Sequence, residues 1–315
     1  MNFPAPYNPR NGEEIMEAKT FRYSTTGTWF KGNTHIHSTR SDGGMTHAEL
    51  AIKYAAAGYN FLYRTDHWYA SDAKKETGPS PVLWLDGIEL DGCDDCGSYY
   101  HVVCLGKVEG LNRESGLQVA LEQARSQGAF LILAHPHWTG NSLEEAHRHG
   151  FNGVEVYNHV CHWLNGKSYG GIHWDSCLEQ SAETLGFSAD DAHLHARNPC
   201  WNGGWIMVNA ETCDRDSIQS AIRRGNFYSS CGPEFHGMDW DGNTVRIRTS
   251  PIRFARLVGP RSKGDRQGAF EGPLISKAHL TIPPDWAYAK IEIEDAEGRR
   301  AWTNPLFTKL IQSQG

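Results

Sequence analysis

The 315-residue chain contains no run approaching the roughly eighteen consecutive apolar residues that a membrane-crossing helix needs. Its first nineteen residues carry prolines, asparagines and acids with no apolar stretch, so neither a signal peptide nor a membrane anchor is expected there. Basic charge is also scarce. Thirty Lys and Arg face 37 Asp and Glu, and the formal net charge of -7 argues against a general nucleic-acid or membrane-surface binder. The eight cysteines are too few and too scattered for a disulfide framework. Cys93 and Cys96 form one Cys-x-x-Cys, but no second such pair completes a zinc knuckle, and free thiols in a cytoplasmic setting are the expectation. Internal repeats and low-complexity segments are missing too.

What is present is a globular composition, 39% hydrophobic and 21% charged, at a length that suits one large α/β domain with a small appendage. Sixteen histidines and eleven tryptophans exceed what folding requires and hint at a site. Residues 32–44 read Gly-Asn-Thr-His-Ile-His-Ser-Thr-Arg-Ser-Asp-Gly-Gly. On an extended strand His35 and His37 project from one face and converge on a single cation. Glycine-assisted turning brings Asp42 back toward them, adding a hard oxygen to two imidazole nitrogens.

The same pattern recurs along the chain. Residues 45–58 read as a helix, with Thr46 as N-cap, Glu49 three residues on and Gly58 as a stop. A short apolar run then ends in Asp66 and His67. Residues 82–90 place Glu89 at a strand end, and residues 99–106 carry His101. After a helix over 116–128, the apolar run 129–134 ends at His135, with His137 beside it. A short helix over 143–149, a strand over 153–158, a helix over 176–185 and a strand delivering Asp191 and His193 complete the series. Alternating strands and helices with polar residues at strand ends predict a parallel α/β barrel with a site at one rim. Beyond residue 231 the texture changes to strict alternation around Asp241-Gly-Asn and Glu297-Gly, which predicts a small antiparallel β unit. The expected division is therefore 1–231 and 232–315.

Six imidazoles and several carboxylates exceed the ligand needs of one zinc, so a multinuclear centre is expected. The segments Thr34-His-Ile-His-Ser with Ser41-Asp-Gly, Thr65-Asp-His, Gly87-Ile-Glu-Leu, His101, Leu133-Ala-His-Pro, Gly153-Val-Glu-Val-Tyr-Asn and Asp190-Asp-Ala-His, in that order, resemble the PHP (polymerase and histidinol phosphatase) superfamily. Trp29-Phe-Lys-Gly-Asn-Thr-His-Ile-His and the closing Gly298-Arg-Arg-Ala-Trp-Thr-Asn-Pro resemble its two-domain branch, which includes carbamate-ester hydrolases as well as uncharacterised predicted phosphoesterases. The resemblance implies a distorted seven-stranded β/α barrel, a small C-terminal antiparallel β domain, and two or three zinc, manganese or iron ions. It implies His35, His37, Glu89 and Asp191 around one metal, Glu89, His101 and His135 around a second, and Asp42, His67 and His193 around a third, with Glu89 bridging. Where family members often have Gly-Ser-Asp-Ala-His, this chain has Ser188-Ala-Asp-Asp-Ala-His, and the spacing selects Asp191 rather than Asp190.

The implied chemistry is hydrolysis of a small-molecule ester by a metal-bridged hydroxide, with phosphoesters placed first. Arg40 and Arg197 are the candidate phosphate clamps, Asp66 a further catalytic carboxylate, and His195 a candidate proton donor to the leaving group. A carboxyl-ester or aryl carbamate substrate is the second reading, because Trp68, Trp138, Trp163, Trp174, Trp201 and Trp205 fall in or near loops that could wall an apolar pocket, with Cys200-Trp-Asn-Gly-Gly-Trp as a lid. A metal-binding module without catalysis is the third.

Overall fold

The computed structural model describes residues 19–24, 26–76 and 78–309. The architecture is mixed α/β, with one large sheet and an additional antiparallel β unit. Strands Thr28–Asn33, Phe61–Arg64 and Leu83–Cys93 are parallel neighbours in that order, and Phe130–Leu133, Gly153–Asn158 and Leu185–Ala189 form a second parallel run. Between the runs lies Tyr99–Leu105, antiparallel to both flanking strands. The expectation of an all-parallel barrel fails here for a simple reason. Only five residues separate Leu83–Cys93 from Tyr99–Leu105, and a parallel return needs a crossover of a dozen or more.

The two ends of this strand series meet beyond Asn33 and Ala189. Ile36 bridges Ala192, the His37 amide donates to the Ala192 carbonyl at 3.0 Å, and the Asp191 amide donates to the His35 carbonyl at 2.8 Å.

Period-2 alternation explains the interior. Phe61 and Tyr63, Val103 and Leu105, Phe130 and Ile132, Leu185 and Phe187, and Ile206 and Val208 form one contiguous apolar cluster. Helix Arg215–Arg223 adds Ile218, Ala221 and Ile222 to it. The alternate residues face helices instead: Leu62 packs with Leu50, Ala51 and Tyr54 of helix His47–Ala56, and Val102, Leu131 and Val154 pack with Leu121 and Trp174. Thr46 and Glu49 close the capping box of helix His47–Ala56 as the sequence suggests. The helix expected over 176–185 instead spans Gly171–Gln180, because His173, Trp174, Cys177 and Leu178 supply a buried stripe that two leading glycines disguise.

Past Gly232 the chain does two things. Phe235–Asp241, Thr244–Ile252 and Ile275–Thr281 form a three-stranded antiparallel sheet. Phe254–Val258, Gly264–Gly268, Lys290–Glu294 and Arg300–Thr303 extend the large sheet, with Arg300–Thr303 pairing Phe227–Ser230. Val245, Ile247, Leu257, Leu280, Ile291 and Ile293 form the apolar core of this part. All eight cysteines are free, and among the described residues no helix is long and apolar enough to cross a membrane.

Candidate metal centre

The inward-facing alternation that builds the apolar cluster continues toward one rim, where residue type changes. Leu85 leads through Gly87 to Glu89, Tyr63 through Thr65 to His67, and Phe187 through Ala189 to Asp191. In the antiparallel strand the direction reverses, so His101, near its start, reaches the same rim two residues before Val103. His35 and His37 follow Thr28–Asn33, and His135 follows Phe130–Leu133.

These side chains converge. His35, His37, Glu89 and Asp191 are all buried and offer ligand atoms within 4.8 Å of one another, as do His37, Asp42, His67 and His193, and again His67, Glu89 and His101. Glu89 Oε2 lies 3.1 Å from His35 Nε2, 3.2 Å from His37 Nε2 and 3.3 Å from His67 Nε2. Its other oxygen lies 2.7 Å from His101 Nδ1 and 3.6 Å from His135 Nε2. Asp191 Oδ1 is 3.0 Å from His37 Nε2 and 3.3 Å from His35 Nε2, and Asp42 Oδ2 is 3.2 Å from His193 Nε2.

Close as they are, His35 Nε2, His37 Nε2 and Glu89 Oε2 are buried without an aligned hydrogen-bond partner. Burial of unpaired polar atoms costs about 1–3 kcal/mol each. Atoms that crowd one volume without pairing are arranged for a shared occupant, and imidazole nitrogens with carboxylate oxygens are the donor set of zinc, manganese and iron. The residues therefore fit the binding of divalent metal.

Outer partners fix the ring orientations. Glu155 Oε1 takes the Nδ1 proton of His35 at 2.7 Å, leaving Nε2 as the lone-pair nitrogen toward Glu89. His193 Nδ1 donates to the Asp191 carbonyl at 2.8 Å, and His135 Nδ1 approaches Thr139 Oγ1 at 3.1 Å, with the same consequence. Asn158 Nδ2 donates to Glu155 at 2.9 Å and to Asp191 Oδ2 at 3.2 Å, while Asp91 Oδ1 lies 2.9 Å from His67 Nδ1. His135 and Asp191 hold positive φ angles of 26° and 54°, and Leu194 holds 50°. For non-glycine residues such conformations cost on the order of 1 kcal/mol or more, which the surrounding hydrogen bonds offset.

Electrostatics follow the same geometry. Burial disfavours the charged ring of His37, but the adjacent Asp191 and Glu89 outweigh it and raise its pKa to about 10. Burial would likewise raise Glu89 and Asp191, yet the surrounding imidazoles hold both carboxyls well below their usual range.

Other residues singled out in the sequence lie elsewhere. Asp66 accepts from the Ser38 amide and hydroxyl, the Ser41 hydroxyl and His47 Nε2, and burial notwithstanding, those bonds hold it at about 2. It ties the 32–44 loop to helix His47–Ala56. Asp190 accepts from Tyr54 Oη and from the amides of Asn202, Gly203 and Gly204, which pins the 200–205 loop in place. Arg40 is exposed, 5.3 Å from the Tyr69 ring, and Arg197 is exposed with its amide on His195 Nδ1.

A cavity of about 190 Å³ opens over the cluster, walled by Asp42, His67, His101, His135 and His193 together with Trp138, Val160, Cys161, Leu164 and Asn198. Among the described residues no lysine or arginine lines it. Of the tryptophans proposed as pocket walls only Trp138 is one. Trp174 is fully buried, Trp201 and Trp205 pack behind Tyr54, and Trp163 is exposed, so none of these four rings walls the cavity. Glu155, Asp91, Asn158 and Asn198 belong to the site without an expected role from the sequence. Glu155 and Asn158 carried a signal in their strand-end positions.

No known family's model matches the chain, and no curated protein sequence matches it. Solved structures do. A two-domain protein from Bacteroides vulgatus containing a predicted PHP-like metal-dependent phosphoesterase aligns over 94% of this chain and 100% of its own, at 14% identity and a TM-score of 0.51. A candidate metal-dependent phosphoesterase from Bifidobacterium adolescentis aligns over 62% of this chain and 96% of its own, at 12% identity and a TM-score of 0.41. The chain thus shares its overall fold with the Bacteroides vulgatus protein.

Proposed function

We propose that the chain is a metal-dependent hydrolase of the PHP superfamily, acting on phosphoesters. In this reading residues 1–231 are a distorted seven-stranded barrel and residues 232–315 a small β domain. The observation that supports it is the crowding of three imidazole nitrogens around Glu89 Oε2 without hydrogen bonds. His35, His37, Glu89 and Asp191 would hold one cation, Glu89, His101 and His135 a second, and Asp42, His67 and His193 a third. Such ions, zinc, manganese or iron, supply Lewis acidity and activate water at neutral pH. The protein's own part is orientation. Glu155 and the Asp191 carbonyl keep His35 and His193 in the tautomers that present Nε2, Asp66 fixes the loop bearing His37 and Asp42, and Trp138, Val160 and Leu164 shield one side of the cavity from water.

The cavity favours keeping a second substrate class in view. Its wall offers apolar contacts and, among the described residues, no lysine or arginine, which suits an uncharged carboxyl or carbamate ester as well as a singly charged phosphodiester. The test is elemental analysis of the purified protein followed by parallel assays with a phosphomonoester, bis-para-nitrophenyl phosphate and an aryl ester or carbamate. Two or three equivalents of metal with metal-dependent turnover of a phosphate ester support the proposal. Turnover of the carbon ester alone selects the second class, and a protein that takes up no metal overturns both.

A further inference from the structure

His137, next in sequence but one to His135, does not share its cavity. It lines a separate one of about 500 Å³ where strand Gly153–Asn158, the start of helix Gly171–Gln180 and strands Lys290–Glu294 and Arg300–Thr303 meet. Three features set this cavity apart from a packing defect. First, Gly170 caps the helix without a side chain, so the amides of its first turn, whose residues Gly171, Ile172 and His173 line the cavity, lack a side-chain acceptor.

Second, His173 is 6% exposed and its Nδ1 has no hydrogen-bond partner among the described residues. Its Nε2 must carry the ring proton, since it donates to the Asn141 carbonyl at 2.8 Å, and burial keeps the ring neutral, so Nδ1 is a stranded acceptor. Third, charge is balanced. Lys290 is buried with Nζ 2.6 Å from Asp175 Oδ1, and Arg300 lies 3.3 Å from Glu294 Oε2 and 3.7 Å from Glu292 Oε1 without an aligned bond from Nε.

A ligand that satisfies these groups brings donors for His173 Nδ1 and the Asp175 carboxylate, an anionic acceptor for the helix start and Arg300, and no net charge. Tyr169, Trp302 and Ile172 on the wall call for an apolar remainder. From this uncapped helix start, stranded imidazole and paired charges we infer that the cavity is a second binding site, for a zwitterionic α-amino acid with an apolar side chain.

Titration calorimetry on the full-length protein with L-phenylalanine and L-leucine tests it. One saturable site is expected, with phenethylamine and 3-phenylpropanoate each at least about tenfold weaker, because each lacks one of the two charges. A Cβ at residue 171, on the cavity wall, meets nothing within 4 Å, so Gly171→Leu adds bulk there from an unobstructed Cβ. That variant and Arg300→Gln, each with an unchanged thermal midpoint, should weaken binding at least about tenfold, while His37→Ala binds as wild type. Should Gly171→Leu fail to fold, Arg300→Gln alone decides. Absence of saturation up to about 10 mM, equal binding of the carboxylate alone, or binding lost in His37→Ala and retained in Arg300→Gln overturns the inference, the last by assigning the heat to the metal centre.

Discussion

Halfway along its strands the inner face of the sheet changes from one kind of interior to another. The lower half, with Phe61, Tyr63, Phe130 and Phe187, is packed and indifferent to orientation beyond fit. The upper half, two or four residues further along the same alternation, holds Glu89, His67, His101 and Asp191 beside His35 and His37, and here Glu89 Oε2, His35 Nε2 and His37 Nε2 are buried without the hydrogen bonds that burial normally demands. One geometric rule thus serves two ends. The apolar layer makes the scaffold stiff enough to hold polar atoms in positions they would not choose alone.

That contrast is broken most severely at Glu89. Glu89→Ala removes the carboxylate that three imidazoles face, and it should reduce metal content and take turnover to the uncatalysed level while circular dichroism is unchanged. Retained turnover at full metal content would dissociate the cluster from the chemistry. Phe187→Ala probes the other layer. It should cost about 3–5 kcal/mol in denaturant unfolding, yet leave the metal content of the folded fraction intact.

These layers were not equally legible in the sequence. Ligand-type residues at strand ends were visible because each interrupts an apolar run, and the choice of Asp191 over Asp190 rested on the motif of the family that the segment resembles. The reversal of Tyr99–Leu105 was hidden, since alternation looks the same in both directions and only the five-residue connection reveals it. Glu155 lay in view at a strand end, but its role as partner to His35 depends on a contact across 120 residues that no local pattern encodes. The tryptophans misled because Trp163 and Trp174 lie on helices and Trp205 on a strand rather than in loops, and sequence position says nothing about which way a ring turns.

Glu155→Gln sharpens the comparison at the boundary between layers. It keeps the volume and weakens the grip on His35 Nδ1, so metal affinity should fall about 10–100-fold with stability nearly unchanged. Competition with a chelator measures this, and an unaltered affinity would make Glu155 a packing residue. The pH response is smaller and has a definite sign. With its pKa raised to about 10 from the ordinary 6.5, His37 in the metal-free protein carries a proton at pH 7 that must leave before Nε2 binds a cation. Metal affinity should therefore weaken as pH falls. The stability that the raised pKa gives the metal-free protein is fully present below about 6.5 and disappears as pH climbs through about 10. Melting the metal-free and metal-loaded forms across that window should show the loss in the first alone.

The smallest effect is expected where the sequence suggested a large one. An arginine that clamps a phosphate contributes through charge-assisted hydrogen bonds, and its removal costs about 1.5–3 kcal/mol, or roughly tenfold to a hundredfold in kcat/KM. Arg197 is exposed and outside the cavity wall, and Arg40 spends its planar face near Tyr69. Neither is placed to make such a bond, so Arg197→Ala and Arg40→Ala should each change kcat/KM by less than about threefold on whichever ester the enzyme turns over. A drop of about a hundredfold in either variant, confined to phosphate esters, would mean that the loop bearing that arginine closes over the cavity when substrate binds, and would weight the choice between substrate classes toward phosphate.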